Sequence, residues 1–168
     1  EANKRLGYTA QQTLDYTQSL YEKKLCSYPR TDSRYLTDDM ENTVNSLLDK
    51  IAESHGLHTT TQKYVSKILN SKKVSDHHAI IPTAQVAVQN LSELPRGEQE
   101  ILKLLAIRLA EAVSAPCQYL ETVIEAECAE HVFKAKGKLV TDPGWKIVAG
   151  YKNEGSEAED DSAIDIDL

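Results

Sequence analysis

No stretch of the 168 residues stays apolar over the roughly 18 positions a membrane-crossing helix needs. No charged-then-apolar leader with a small-residue cleavage site opens the chain, which points away from secretion. Cysteine is scarce: Cys26, Cys117 and Cys128 are odd in number and lack CxxC spacing, so they read as reduced thiols filling space in or near the core rather than as a disulfide framework or a zinc site. These absences together predict a soluble, cytoplasmic protein with no membrane partner. An initiating methionine is also missing. The chain starts at Glu1 in what reads as helical or loop sequence, and we expect it to be a piece of something longer. No internal repeat is found.

Surplus positive charge is absent too. Nineteen Lys and Arg stand against 26 Asp and Glu, a formal net charge of -7, whereas a phosphate backbone calls for basic partners. Placement alters that conclusion. Residues 152–168 hold seven acids and one base, so residues 1–151 are nearly neutral, and residues 1–34 hold six bases against four acids. The acidic tail has few large apolar groups to offset its ordering entropy and is expected to be disordered.

What is present divides the chain into a helical part, residues 1–117, and a short β part, residues 118–151, followed by the tail at 152–168: a mainly α fold with a small β segment. Thr9 and Gln12 have capping-box spacing ahead of a helix expected over about Ala10 to Lys24, with Leu14, Thr17, Tyr21 and Leu25 on one face. Thr37 or Asp38 caps the next, in which Met40, Val44, Leu47, Leu48 and Ile51 repeat at helical spacing until Gly56. A short helix is expected from Thr59–Thr61 through Lys63 to Asn70, a loop or brief strand over Asp76–Thr83, and a long helix over about Glu98 to Ser114, ended by Pro116. Period-two alternation over Tyr119–Cys128 predicts a strand with one wet face. Further strands are expected at His131–Lys136 and Trp145–Tyr151, with turns at Gly137–Lys138 and Asp142–Gly144.

Chemistry concentrates in Leu25-Cys-Ser-Tyr-Pro-Arg-Thr-Asp-Ser-Arg-Tyr-Leu36. Pro29 biases Tyr28 to an extended backbone, so Tyr28 and Arg30, two positions apart, project to one side. A phenol with an ordinary pKa near 10 is a poor nucleophile at neutral pH and needs a nearby cation to favour the phenolate. Arg30 is placed to be that cation, or to grip a phosphate with its planar fork. By pattern alone a tyrosine before proline is also an ordinary packed turn residue. Asp76, His77 and His78 suggest a metal site, but adjacent histidines diverge in any regular backbone and no third ligand cluster follows, so no metal ligand is assigned. His55 and His58 read as solvated surface residues, the pairs Lys23–Lys24 and Lys72–Lys73 as solvated faces or phosphate contacts, and Tyr8, Tyr16, Tyr21, Tyr35 and Tyr64 mostly as core or core-edge rings.

The segment around Tyr28 closely resembles the Tyr-x-Arg-Thr-Asp-Ser motif of type IA DNA topoisomerases, and Ser19–Leu25 is similar to the helix that leads into it. Ser75-Asp-His-His-Ala-Ile-Ile-Pro-Thr83 resembles that family's histidine motif. Pro29 and the His-His-Ala-Ile-Ile-Pro form look more like the topoisomerase III branch. Phe133–Lys138 with Asp142–Lys146 is similar to strands returning to the family's arch domain. Cys26-Ser27 departs from the apolar residue expected before the tyrosine. The resemblance implies that Tyr28 is the nucleophile, that Arg30 holds the scissile phosphate, and that His77 contacts DNA beside it. Thr31, Asp32, Ser33 and Arg34 would shape the loop or touch DNA. It further implies a single-stranded DNA substrate, Mg2+ bound outside this chain by an N-terminal domain of the same parent, a helicase as a further partner, and, in a bacterium, association with the nucleoid. The alternatives are a noncatalytic single-stranded nucleic-acid-binding module in which Tyr28 packs or stacks, and an interaction domain using the acidic tail.

Overall fold

A computed structural model describes residues 1–150 apart from Thr59, Thr61 and Glu130. Among the described residues helices α1 (Ala2–Leu6), α2 (Ala10–Glu22), α3 (Glu41–His55) and α4 (Arg96–Val113) are followed by strands β1 (Gln118–Cys128) and β2 (His131–Asp142). Single turns of 3-10 helix occur between these elements, and a longer one, Gly144–Ala149, follows β2. The class is the one the sequence predicts, mainly α with a small antiparallel β pair.

Local signals explain the helix ends. The capping box forms as expected, with Gln12 N–H donating to Thr9 Oγ1 at 3.2 Å and Thr9 N–H to Gln12 Oε1 at 3.0 Å. Gly56 ends α3 in the left-handed conformation (φ 60°), which costs glycine nothing. Tertiary packing does the rest. Val44, Leu47, Leu48 and Ile51 of α3 join Ile101, Leu102, Ala106, Leu109, Ala110 and Val113 of α4 in one core, and each fully buried Leu or Ile is worth about 1.5–3 kcal/mol relative to exposure. α4 also packs against α2 and the Gly144–Ala149 turn. Two of its acids are buried and answered: Glu98 accepts from Ser19 Oγ (2.9 Å) and Lys23 Nζ (2.5 Å), and Glu111 pairs with Arg108 (2.5 Å) and Arg5 (3.5 Å). The first of these ties the start of α4 to the end of α2, the helix that delivers the chain to Tyr28.

Several expectations are corrected. The buried face of α2 is Thr17 and Leu20, while Tyr21 is 39% exposed and Leu25 lies beyond the helix. The short helix before Asn70 contracts to a 3-10 turn at Val65–Ile68, and its expected start at Thr59 and Thr61 lies outside the described residues. β2 runs straight through Gly137–Lys138, which pair with Thr122 and Glu121 instead of turning. The hairpin pairs only with itself among the described residues, so β1 has no dry face: every residue of it is exposed. The stretch after Gly144 is a 3-10 turn, not a strand, because Val148 packs into the core and Trp145 N–H donates to Ala115 O (2.8 Å). His55 is half-buried, with Nε2 enclosed and unpartnered among the described residues, and burial and Lys103 hold its pKa below the ordinary imidazole value. Cys26 is buried, which pushes its thiol up to about 12, but Cys128 is exposed. The acidic tail expected at 152–168 lies outside the described residues.

Gly97, in the first turn of α4, lies under the Tyr16 ring, and a β-carbon there would stand 2.4 Å from Tyr16 Cζ. Alanine gains about 1 kcal/mol in helix propensity, but overpacking costs about 1–3 kcal/mol. Gly97→Ala is therefore expected to lower the urea midpoint of the chain, and adding Tyr16→Ala to recover part of the loss; a raised midpoint in the single variant contradicts this packing.

Candidate active site

α2 closes with a Schellman motif: Leu25 N–H donates to Leu20 O and Lys24 N–H to Tyr21 O, both at 2.8 Å. Its left-handed position is Lys24 (φ 62°), not glycine, a strain of about 1–2 kcal/mol for an L side chain. That residue turns the chain out of the helix into the extended stretch leading to Tyr28.

The stretch is then fastened to a segment some 55 residues further on. Cys26 and Pro82 form an isolated antiparallel bridge, flanked by Ser27 N–H to Ile81 O (2.9 Å) and Thr83 N–H to Leu25 O (2.9 Å). Both bonds belong to the neighbours, so Cys26 and Pro82 are a non-hydrogen-bonded pair and the missing N–H of proline costs nothing. Ser27 Oγ accepts from Ile81 N–H (2.9 Å) and donates to Ala79 O (3.2 Å), while Thr83 Oγ1 donates to Lys24 O (2.5 Å). The polar residue that looked out of place before the tyrosine is thus part of the seam.

Beyond the seam Tyr28 is half-buried between two rings. The His77 ring lies 4.3 Å away at 42°, and Tyr21 meets Tyr28 edge-on at 5.3 Å and 79°; such pairs contribute about 0.5–1.5 kcal/mol each beyond burial. Thr31 Oγ1 donates to His77 O (2.8 Å) and accepts from Ser33 N–H (3.1 Å). Ser33 Oγ lies 3.1 Å from the carbonyls of both Tyr35 and Lys73, and Ser75 Oγ lies 3.5 Å from Asp32 Oδ1. The structure therefore brings Tyr28 and His77 together and makes Thr31 and Ser33 ties of the loop. Arg30 and Arg34 are exposed and make no hydrogen bond or ion pair among the described residues. Sequence reasoning missed Tyr21 and Ser27 as parts of the site. Tyr21 carried a signal in its place at the end of the helix that leads to Tyr28; Ser27 carried none, because its partners are distant in sequence.

The two histidines diverge: His78 Nδ1 faces Ala79 O at 2.7 Å, and His78 lines a groove of about 410 Å³ with Ser27, Met40, Lys50 and Thr83. Tyr28 and His77 do not line that groove; His77 is exposed and Tyr28 half-buried. Among the described residues no three His, Cys, Asp or Glu side chains converge on one point, so the residues here do not fit a magnesium site.

A half-buried phenol stacked on an exposed imidazole, with two guanidinium groups on the same loop that have no partner among the described residues, offers donors and positive charge suited to an anion. The family of DNA topoisomerases, recognised over residues 1–166, includes this chain as a member. Among its relatives, a protein of Bacillus subtilis strain 168 called DNA topoisomerase 3 is 40% identical over 96% of this chain and 23% of its own length. Proteins of the same name from Bacillus licheniformis and Staphylococcus saprophyticus are each 37% identical, over 95% and 93% of the chain. The chain thus spans about a quarter of the length of these relatives, and their names agree with the topoisomerase III-like form of both motifs.

Ser27→Ala is expected to leave the nearly buried Ile81 N–H without an acceptor, costing about 1–3 kcal/mol. Urea unfolding checks this; a change below about 0.5 kcal/mol, the level of ordinary surface substitutions, contradicts the role given to the hydroxyl.

Proposed function

We propose that this chain is the nucleophile-bearing part of a type IA, topoisomerase III-like enzyme acting on single-stranded DNA. The observation that carries this reading is the contact of Tyr28 with His77, made by two motifs 49 positions apart in sequence. Tyr28 Oη attacks the scissile phosphorus and loses its proton, the bond from phosphorus to the 3' oxygen breaks, and that oxygen leaves as a hydroxyl after taking up a proton. A 5'-phosphotyrosyl link remains. Attack of the 3' hydroxyl on that link reverses each change, so resealing needs no ATP, and a second strand passes while the break is open.

Arg30 is assigned to the phosphate, where one well-aimed donor is worth roughly 2.7–4 kcal/mol in the transition state. His77 is assigned to DNA beside the cleavage point, and Thr31, Asp32, Ser33 and Arg34 to the loop and its contacts with the strand. Magnesium belongs, on this reading, to an N-terminal domain of the parent, and no step above passes through it. The domain carrying Tyr28 would swing away after cleavage, which makes closure a gated step. A helicase partner, a location in the cytoplasm and association with a nucleoid follow from the family reading alone.

The test mixes the chain with the N-terminal part of the parent, magnesium and an end-labelled single-stranded oligonucleotide, and looks for a protein–DNA adduct stable to denaturant. An adduct is expected from the mixture, none from the chain alone or from Tyr28→Phe, and a slower one from His77→Ala. An adduct that survives Tyr28→Phe contradicts the nucleophile assignment. Binding with no adduct under any condition favours the noncatalytic module.

A further inference from the structure

Beside the tyrosine, residues 28–36 and 63–78 carry six bases, Arg30, Arg34, Lys63, Lys67, Lys72 and Lys73, against two acids, Asp32 and Asp76. The net charge of -7 hides this concentration. The fold joins the two segments: Leu36 N–H donates to Ile68 O (2.9 Å), Asn70 N–H donates to Leu36 O (2.8 Å), and Ser33 Oγ reaches Lys73 O (3.1 Å). Lys73 Nζ lies 4.5 Å from the centre of the Tyr35 ring and donates to its hydroxyl at 3.2 Å, and Lys67 Nζ lies 4.1 Å over Tyr64. Lys63 has a carboxylate partner in Asp49. Arg34, Lys67, Lys72 and Lys73 have none among the described residues. Lys67 and Lys73 are steadied by neutral rings, not by acids, and all four cations keep their charge available to an anion from outside.

We propose that the strip formed by Arg34, Tyr35, Lys67, Lys72 and Lys73 binds the sugar-phosphate backbone of single-stranded DNA on the downstream side of the break. The inference rests on the function proposed above. In a 5'-phosphotyrosyl link, the strand held covalently by Tyr28 is the downstream one, and its next phosphates leave the Tyr28–His77 pair. From that pair the Thr31–His77 and Ser33–Lys73 hydrogen bonds lead to the strip. Lysines act on phosphates as point charges without reading bases, so the contact is indifferent to sequence and sensitive to salt. It gives the nucleophile-bearing part its own hold on the cleaved end.

The test uses the longer protein in its Tyr28→Phe form, which cannot trap the strand covalently. Fluorescence anisotropy follows binding of oligonucleotides that share one upstream end and grow step by step downstream of the cleavage point. Affinity is expected to rise with downstream length. In Lys67→Ala/Lys72→Ala/Lys73→Ala that rise is expected to fall by roughly tenfold or more at low salt, and the slope of log K against log salt to become shallower by about 2, the value for three single-strand phosphates. The matching triple substitution to arginine is expected to restore both, and equal binding of the oligonucleotide that stops at the cleavage point shows that the variant is folded. Affinity independent of downstream length, or an unchanged salt slope, overturns the proposal, as does a glutamate-rich peptide that displaces DNA from the strip at equal charge. If Tyr28 forms its adduct while downstream length has no effect, the strip alone is wrong; if no adduct forms, the reading beneath it fails.

Discussion

The arrangement around Tyr28 depends on the seam between residues 25–27 and 79–83. Two backbone hydrogen bonds flank the Cys26–Pro82 bridge, and the Ser27 and Thr83 hydroxyls add side-chain bonds on either side. Each intramolecular hydrogen bond of this kind is worth only about 0.5–1.5 kcal/mol net. Their effect is larger than that sum suggests because Leu25, Cys26, Ile81 and Pro82 are buried with them, so opening the seam would expose core as well as break bonds. The seam converts two segments distant in sequence into one rigid support, with Tyr28 leaving one strand of it and His77 lying just before the other.

Support reaches the seam from the helices as well. Glu98 at the start of α4 holds Ser19 and Lys23 at the end of α2, and the left-handed Lys24 then aims the chain into the bridge. A non-glycine residue in that conformation persists only where its surroundings over-determine it, and here Leu20 and Leu25 on either side are fully buried. The position of the tyrosine is thus set by a relay from the α4 core through α2, with the loop itself, Thr31 and Ser33 included, held by short side-chain-to-backbone bonds that suit these residue types.

Much of this was legible in the sequence where one local rule governed. Val44, Leu47, Leu48 and Ile51 announced α3 and Gly56 its end; Thr9 and Gln12 announced the start of α2. Failures came where distant partners decide. Gly137–Lys138 resembles a turn, yet pairing with Thr122 and Glu121 keeps it extended. The apolar run after Trp145 resembles a strand, yet Val148 gains more by entering the core beside α4. The site was found through likeness of its two motifs to a family, not through spacing, because nothing in the order of residues says that Tyr28 and His77 touch. Ser27 looked like a defect for the same reason: its partners lie more than 50 residues away.

The central claim is that the segment bearing Tyr28 belongs to the folded core and is not a loop lying on it. Native-state hydrogen exchange of the Ser27, Ile81 and Thr83 amides tests this most directly. The account predicts that they exchange only through global opening, with the same free energy as the Leu102 and Ala106 amides of α4. Exchange as rapid as that of exposed amides such as Lys72 would contradict it.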